Sequence, residues 1–169
     1  CDSKYSELFV DIYKHSYHEC NNCGHLYLKK PPTQEALSKM YIVDDNNENE
    51  SIQGQIYVQK SLFKKRVNEI AKPKAVFADK LINQKGKWID IGAGVGDLVL
   101  ALKELNWDVY GYESDKEEVM FAKSMGVEIE NKFLTNSDLK DILIDAKVVS
   151  TINVLEHLKE PKSFVSEIS

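Results

Sequence analysis

The sequence predicts an α/β fold in which a doubly wound parallel sheet follows a small cysteine-containing segment and a group of helices. The main observation is residues 87–96, KWIDIGAGVG, where a short β-type run ends in three glycines that alternate with small residues. Apolar residues at helical spacing follow directly, and strand and helix patterns then alternate to the end of the chain. Strands separated by helices pair in parallel through right-handed crossovers.

The composition limits the possible partners. With 169 residues, of which 43% are hydrophobic, the chain is long enough for one globular domain, with or without a small extra module. The net charge is −5 and no basic stripe is present, so we do not expect a nucleic-acid partner. No apolar run approaches the roughly 20 residues of a membrane-spanning helix, and we expect no membrane partner. Three cysteines fit a reducing compartment, and we expect a cytoplasmic protein whose oligomeric state stays open.

Residues 1–32 contain a candidate metal site. Cys20 and Cys23 form a C-x2-C pair, and Gly24 follows. Two thiolates at this spacing can bind one metal ion, and glycine permits the tight turn after the second. A closed zinc site needs four ligands, and Cys1 is the remaining cysteine. The alternative is a pair of reduced cysteines in a small hairpin without a metal.

Residues 33–85 are predicted to form a helical lid or linker. Thr33 is a candidate N-cap, and the apolar face of its helix would contain Ala36, Leu37, Met40 and Tyr41. The polar run 44–51, DDNNENES, is typical of an exposed loop. A second helical stretch runs to Pro73, and its apolar residues are Ile56, Leu62, Phe63, Val67 and Ile70. A short third stretch covers 75–82.

Residues 86–169 contain four predicted strands, and a predicted helix follows each. The strand–helix pairs are 88–91 with 96–106, 108–112 with 115–125, a strand near 127–130 with a short helix near 136–143, and 147–152 with a helix that begins near Pro161.

Three acids indicate the class of ligand. Asp90 lies two residues before Gly92, where a carboxylate would repel a dinucleotide pyrophosphate but favour an ammonium or sulfonium. Asp97 occupies the third glycine position of G-x-G-x-x-G, which also counts against a nicotinamide oxidoreductase. Glu113 ends the next strand, about 20 residues beyond the turn, where an acid can bind both hydroxyls of a ribose.

Three motifs together carry a family resemblance over residues 86–168. They are D-I-G-A-G-V-G, then GYES, then N-V-L-E-H-L-K-E-P. The combination resembles class I S-adenosylmethionine-dependent methyltransferases, which have a Rossmann-like sheet of seven strands. Since the sequence predicts four strands, we expect the chain to be an internal fragment of a longer protein.

The resemblance implies a set of cofactor contacts. Gly92, Ala93 and Gly94 would present their backbone to the methionine and ribose portions, and Asp90 would lie near the amino group. Glu113 would bind the ribose, with Ser114 beside the adenine. The family usually places an acid after the third strand, whereas Phe133 stands there in this chain. The backbones of Phe133 and Leu134 would then meet the adenine, with Asn131 or Asp138 as alternatives.

The resemblance also places candidate catalytic residues after the fourth strand. Asn153, a candidate cofactor contact at the start of this segment, occupies a position where the family more often has Asp. His157 is the best candidate for a general base because its unperturbed pKa is near neutrality, but it could instead anchor the loop. Glu156 could orient His157 or cap the next helix. Upstream helices of related enzymes close over the cofactor and often contribute a tyrosine, for which Tyr41 and Tyr57 are candidates.

The N-terminal cysteines resemble the second half of a zinc ribbon that precedes some methyltransferase domains. In that pattern Cys1 is the second member of a pair that begins upstream, although His15, His18 or His25 could supply the fourth ligand. Such ribbons occur in enzymes of carbohydrate biosynthesis, so we expect a hydroxyl or carbon of a nucleotide-linked sugar or polysaccharide precursor as the methyl acceptor. A quinone or polyketide O-methyltransferase, a non-catalytic binding domain and an NAD-dependent oxidoreductase are the alternatives.

Overall fold

The computed structural model describes residues 1, 3–33, 36, 58–158 and 160–169. These form two compact units, Cys1–Leu37 and Ser38–Ser169. The helix predicted from Thr33, the polar run 44–51, Tyr41 and Tyr57 lie wholly or largely outside the described residues. Among the described residues, no helix is long and apolar enough to cross a membrane.

The N-terminal unit is a three-stranded antiparallel sheet in the order β1-β2-β3. Its strands are β1 (Ser6–Ile12), β2 (His15–Cys20) and β3 (Leu26–Leu28). The register between β1 and β2 shifts at a bulge between Leu8 and Val10. The C-x2-C pair therefore begins at the last residue of β2 and continues into the turn toward β3.

The second unit begins with a continuous helical run. Helix α1 (Lys60–Arg66) passes through a π-helical turn (Val67–Ala71) into α2 (Lys72–Leu81). The buried residues of this run follow at four-residue intervals, Phe63, Val67, Ala71 and Ala75, and so form one apolar stripe. The sequence predicted a break at Pro73. The run continues because the π-helical turn ends at Ala71 and Pro73 lies in the first turn of α2, where the local hydrogen-bonding pattern changes and the missing N–H is tolerated.

The parallel sheet has the order β6-β5-β4-β7, which confirms the predicted α/β class. Three helices alternate with the strands and a fourth follows the last strand. In chain order the elements are β4 (Lys87–Ile91), α3 (Asp97–Glu104), β5 (Asp108–Glu113), α4 (Lys116–Ser124), β6 (Glu130–Asn131), α5 (Asn136–Ile142), β7 (Ala146–Thr151) and α6 (Pro161–Glu167).

Two apolar clusters cover the sheet. One contains Trp88 and Val109 with residues of α1, α2, α3 and α4, and the other contains Ile89, Ile91 and Tyr112 with residues of α5 and α6. Because adjacent strand residues point to opposite faces, this alternation buries both sides of β4.

The third strand of the sheet is shorter than predicted. Strand β6 contains Glu130 and Asn131, whereas the sequence predicted pairing near 127–130. The reason is the end of α4, where the Val127 amide donates to the Ala122 carbonyl (2.9 Å) and Gly126 has a φ of +79°. Val127 thus completes the helix terminus, and the strand pairs only further along.

Candidate cofactor site and thiol cluster

The glycine turn lies where β4 ends, at the carboxyl edge of the parallel sheet. Gly92 and Gly94 have φ values of +72° and +54°, a region that other residues adopt at a cost. A Cβ on Gly92 would lie 2.3 Å from Cγ2 of Val154, which follows β7. Glycine at this position therefore allows the segment after β7 to close against the turn.

The backbone amides of the turn are bound by the end of β5. The amides of Gly92 and Ala93 donate to the Tyr112 carbonyl at 2.9 and 3.0 Å. The Gly94 amide donates to Oε2 of Glu113 at 2.9 Å. These bonds fix the turn against the neighbouring strand.

Glu113 is held on its other oxygen as well. Oε1 accepts from the Ser114 amide (2.7 Å), the Asp115 amide (2.9 Å) and the Ser114 hydroxyl (3.2 Å). An ionised carboxylate offers about four acceptor sites. Among the described residues, Oε2 accepts from the Gly94 amide alone, so it retains capacity for a further donor at the edge of the sheet.

Asp90 is almost completely buried beside the turn, with 3% of its surface exposed. The Ser150 hydroxyl, on β7, donates to its Oδ1 at 2.5 Å. Burial raises the pKa of Asp90 to about 7, the charges of Asp97 and Glu113 act in the same direction, and the Ser150 hydrogen bond opposes them.

Further charged residues surround the turn. Asp97, the first residue of α3, accepts from Nε of Arg66 at 2.9 Å. Glu118 on α4 is buried, and burial together with the charges of Glu113 and Asp115 raises its pKa to about 7. Its Oε2 would lie 3.2 Å from a Cβ on Gly94. The turn is therefore enclosed by carboxyl groups, with Arg66 as a compensating cation.

A cavity of about 90 Å³ opens beside the turn at the carboxyl ends of the strands. Five predicted cofactor residues from separate elements line it: Gly92, Glu113, Ser114, Phe133 and Leu134. Lys132 forms a further part of its wall. A larger open depression of about 410 Å³ lies beside Val109, Tyr110 and Lys103. We regard the smaller cavity as the ligand site, because ligands of open α/β sheets bind at the carboxyl ends of the strands.

The alternative adenine contacts have structural partners. The side-chain amide of Asn131 donates to the carbonyls of Glu113 and Ser114, at 3.0 Å each. Asp138 accepts from Lys132 Nζ at 2.8 Å and from the Thr135 amide at 2.8 Å, as part of the capping box of α5. These bonds hold the pKa of Asp138 well below its usual range. Both residues thus order the segment that carries Phe133.

The segment after β7 carries the predicted catalytic residues. Asn153 is exposed and has a φ of +57°, which asparagine tolerates better than most residues. Glu156 and His157 lie on a short 3₁₀ turn (Leu155–His157), where Glu156 is exposed and His157 is half-buried. Val154 and Leu158 are the residues of this segment that line the cavity.

Sequence reasoning missed Arg66, Glu118, Lys132 and Ser150. The sequence does contain a pattern that points to Glu118. It lies three and four residues before the buried residues Phe121 and Ala122, and therefore on the same face of α4. No local pattern identifies Arg66 or Ser150. Their roles depend on how distant elements pack, 31 and 60 residues from their partners.

The N-terminal unit brings its three cysteines together. The sulfurs of Cys1, Cys20 and Cys23 all lie within 4.8 Å of one another, and Cys1 Sγ is 3.8 Å from Cys20 Sγ. Hydrogen bonds from the Asn22 and Cys23 backbones lower the pKa of the Cys20 thiol. Among the residues described in this unit, this thiol cluster (Cys1, Cys20 and Cys23) contains no histidine. His18 is hydrogen-bonded to Ser6 (3.2 Å), and the ring of His25 stacks on that of Tyr27.

Residues 59–169 match the model of a protein family described as Methyltransferase domain. The chain belongs to this family. The matched region of the methyltransferase domain includes α1, α2 and the whole parallel sheet, and therefore the glycine turn with its acids.

Two solved structures illustrate what this methyltransferase domain is similar to. One is magnesium protoporphyrin IX methyltransferase from Synechocystis PCC 6803 with bound SAM, at 18% identity and a TM-score of 0.45, with 72% of this chain and 60% of that chain covered. The other is the plantazolicin methyltransferase BpumL in complex with SAH, at 14% identity and a TM-score of 0.47, covering 72% and 49%. The chain thus spans less than two thirds of either structure. Its sequence has no significant match among curated proteins.

Proposed function

We propose that this chain is the cofactor-binding part of an S-adenosylmethionine-dependent methyltransferase. The observation that carries the proposal is the acid-lined glycine turn at the carboxyl edge of the sheet, in a chain of the methyltransferase domain family. Asp90, Glu113 and Glu118 would attract a cationic ligand and oppose a pyrophosphate. The nicotinamide alternative is disfavoured on this ground.

The residues around the turn fit the proposed cofactor in their chemistry. Asp90 would face the amino group, and Asn153 would be a further contact with the cofactor. Glu113 keeps acceptor capacity on Oε2 for a ribose hydroxyl, while Ser114 and Phe133 line the cavity that would receive the adenine. Gly92, Ala93 and Leu134 would complete the walls.

When bound, the cofactor supplies an electrophilic methyl group with a neutral leaving group. This chain would hold donor and acceptor in line and exclude water, which can contribute several kcal/mol. His157, on the turn after β7, is our candidate to accept a proton from a hydroxyl acceptor, and Glu156 is our candidate to orient it. His157→Ala should then reduce turnover about 100-fold or more while cofactor affinity stays within about twofold, and equal losses of both would favour the loop-anchor role.

The proposed acceptor is a hydroxyl or carbon of a nucleotide-linked sugar or polysaccharide precursor. The support is the thiol cluster of the N-terminal unit and its resemblance to zinc ribbons of that group. A quinone or polyketide acceptor and a non-catalytic binding role are the alternatives, which an acceptor screen would separate. Reduced thiols also agree with a cytoplasmic location.

We further propose that the thiol cluster binds a structural zinc ion. Zinc–sulfur bonds of about 2.3 Å at tetrahedral angles place neighbouring sulfurs about 3.8 Å apart. The separation between Cys1 and Cys20 is 3.8 Å, so these donors fit the ion. Cys23 would be the third ligand, and a fourth would complete the site.

Calorimetric titration with S-adenosylhomocysteine, with NADH in parallel, tests the cofactor. We expect micromolar binding of S-adenosylhomocysteine and none of NADH. Binding of NADH alone would overturn the proposal. Glu113→Ala and the exposed acid Glu130→Ala provide a matched pair, because Glu130 begins the neighbouring strand β6 and, among the described residues, has no hydrogen bond to the turn.

A further inference from the structure

A chain of two hydrogen bonds crosses from β4 to β7 beside the glycine turn. Ser150 lies opposite Asp90 in the parallel register. Its hydroxyl is 2.5 Å from Asp90 Oδ1, and Nε1 of Trp88 is 2.8 Å from the same hydroxyl. Trp88 and Asp90 are two residues apart on one strand, so both point to the same face and flank Ser150.

The direction of this chain is fixed by its two ends. An indole N–H can only donate, and an ionised carboxylate can only accept. The Ser150 hydroxyl must therefore accept from Trp88 and donate its single proton to Asp90. While Asp90 is ionised, no other arrangement satisfies both bonds, so the indole orients the hydroxyl toward the carboxylate.

We propose that Ser150 is a positioning residue of the cofactor site, which holds Asp90 in place and favours the anionic form that a cationic ligand requires. This inference rests on the proposed function, because Asp90 is the residue expected beside the amino group of the cofactor.

The surroundings of Asp90 make one hydrogen bond decisive. Burial favours the neutral acid, as do the charges of Asp97 on α3 and Glu113 on β5. Lys74 on α2, an exposed residue, and the Ser150 hydroxyl on β7 favour the anion. The pKa of about 7 means that the two forms are nearly balanced at neutral pH. Removing the hydroxyl should therefore shift the balance toward the acid.

The test is the pH profile of S-adenosylhomocysteine binding to wild type, Ser150→Ala and Ser150→Thr, measured by calorimetry from about pH 6 to about pH 8.5. Wild-type affinity should rise with pH and level off above the pKa of Asp90. In Ser150→Ala the profile should move up by about one pH unit, which weakens binding about fivefold at pH 7 and less than twofold at the alkaline end. Ser150→Thr retains a hydroxyl and should follow wild type.

A uniform loss of affinity at every pH in Ser150→Ala would overturn the inference, because a merely structural role would not move the profile. If Ser150→Ala does not fold, Ser150→Cys replaces it, since a thiol is a weak donor and should give a smaller shift in the same direction. Equal profiles for Ser150→Cys and wild type would also overturn the inference.

A measurement without ligand separates this inference from the proposed function. If wild type binds no S-adenosylhomocysteine at any pH, the proposed function fails. The titration midpoint of Asp90, followed by carbon NMR in protein carrying ¹³C-labelled aspartate, should still be higher in Ser150→Ala. Equal midpoints would overturn the role of Ser150.

Discussion

The two units of this chain contain apolar residues in similar abundance but bury them very differently. Among the described residues of the N-terminal unit, Cys20 alone is buried, while Tyr5, Phe9 and Tyr13 are 80%, 57% and 99% exposed. The second unit buries both faces of its sheet in two clusters. A small sheet with so little buried surface usually needs a metal, disulfides or a partner. The thiol cluster, rather than a hydrophobic core, should therefore stabilise the first unit.

The largest expected effect is loss of the first unit when the proposed zinc is removed. Metal binding to structural thiol sites contributes on the order of 10 kcal/mol to folding. Cys20→Ser, or incubation with a chelator, should release zinc and make residues 3–33 sensitive to limited proteolysis. The second unit should retain its melting temperature.

Lys14→Ala is the control, because Lys14 is exposed in the turn between β1 and β2 and lies outside the thiol cluster. Purified protein that contains no zinc, and a first unit that resists protease after chelation, would together contradict this prediction.

The second unit should instead respond to changes in packing. Gly92→Ala places a Cβ 2.3 Å from Val154 at a φ of +72°, so overpacking and backbone strain add. We expect a loss of about 3 kcal/mol in the free energy of unfolding, measured by urea denaturation of the second unit. The first unit should be unaffected.

Gly126→Ala separates the two causes. Gly126 has a φ of +79°, but a Cβ there would meet no atom within 4 Å. This variant should lose about 1 kcal/mol, the cost of strain alone. The double variant Gly92→Ala with Val154→Ala should recover part of the packing loss. Equal losses at Gly92 and Gly126 would show that the contact with Val154 is unimportant.

Within the second unit, Glu113 should matter for both ligand affinity and stability. Glu113→Ala removes bonds to the amides of Gly94, Ser114 and Asp115 and the proposed ribose contact. We expect S-adenosylhomocysteine affinity to fall about 30-fold or more, by the typical strength of hydrogen bonds to a charged group. Calorimetry should show Glu130→Ala within about twofold of wild type. A similar loss in both variants would remove the special role of Glu113.

The sequence predicted the strands and helices of the second unit well, because apolar period and glycine position are local signals. Gly92, Glu113, Ser114 and Phe133, which the sequence predicts as cofactor contacts, line one cavity because the ends of adjacent parallel strands share one edge. It did not reveal Ser150 or Arg66. Both contact residues far along the chain, and strand register and helix packing, which no local pattern encodes, decide those contacts. The shortness of β6 was missed because the end of α4 extends to Val127.

The smallest expected effect is a change in the pH dependence of stability, which we expect in the second unit and not in the first. Burial raises the folded-state pKa of Glu118 from 4.5 to about 7, so the folded protein retains a proton that the unfolded chain releases. The stabilisation is therefore complete below the unfolded pKa and is lost as the pH rises through about 7. Glu118→Gln should make the free energy of unfolding of the second unit less dependent on pH, by about 1–2 kcal/mol between about pH 5.5 and about pH 8.

Scanning calorimetry at both pH values measures this change, with Glu128→Gln, which replaces an exposed acid, as the control. An unchanged slope in Glu118→Gln would mean that this carboxyl is ionised in the folded protein, and the acids around the turn would then carry more negative charge toward a cationic ligand than we infer.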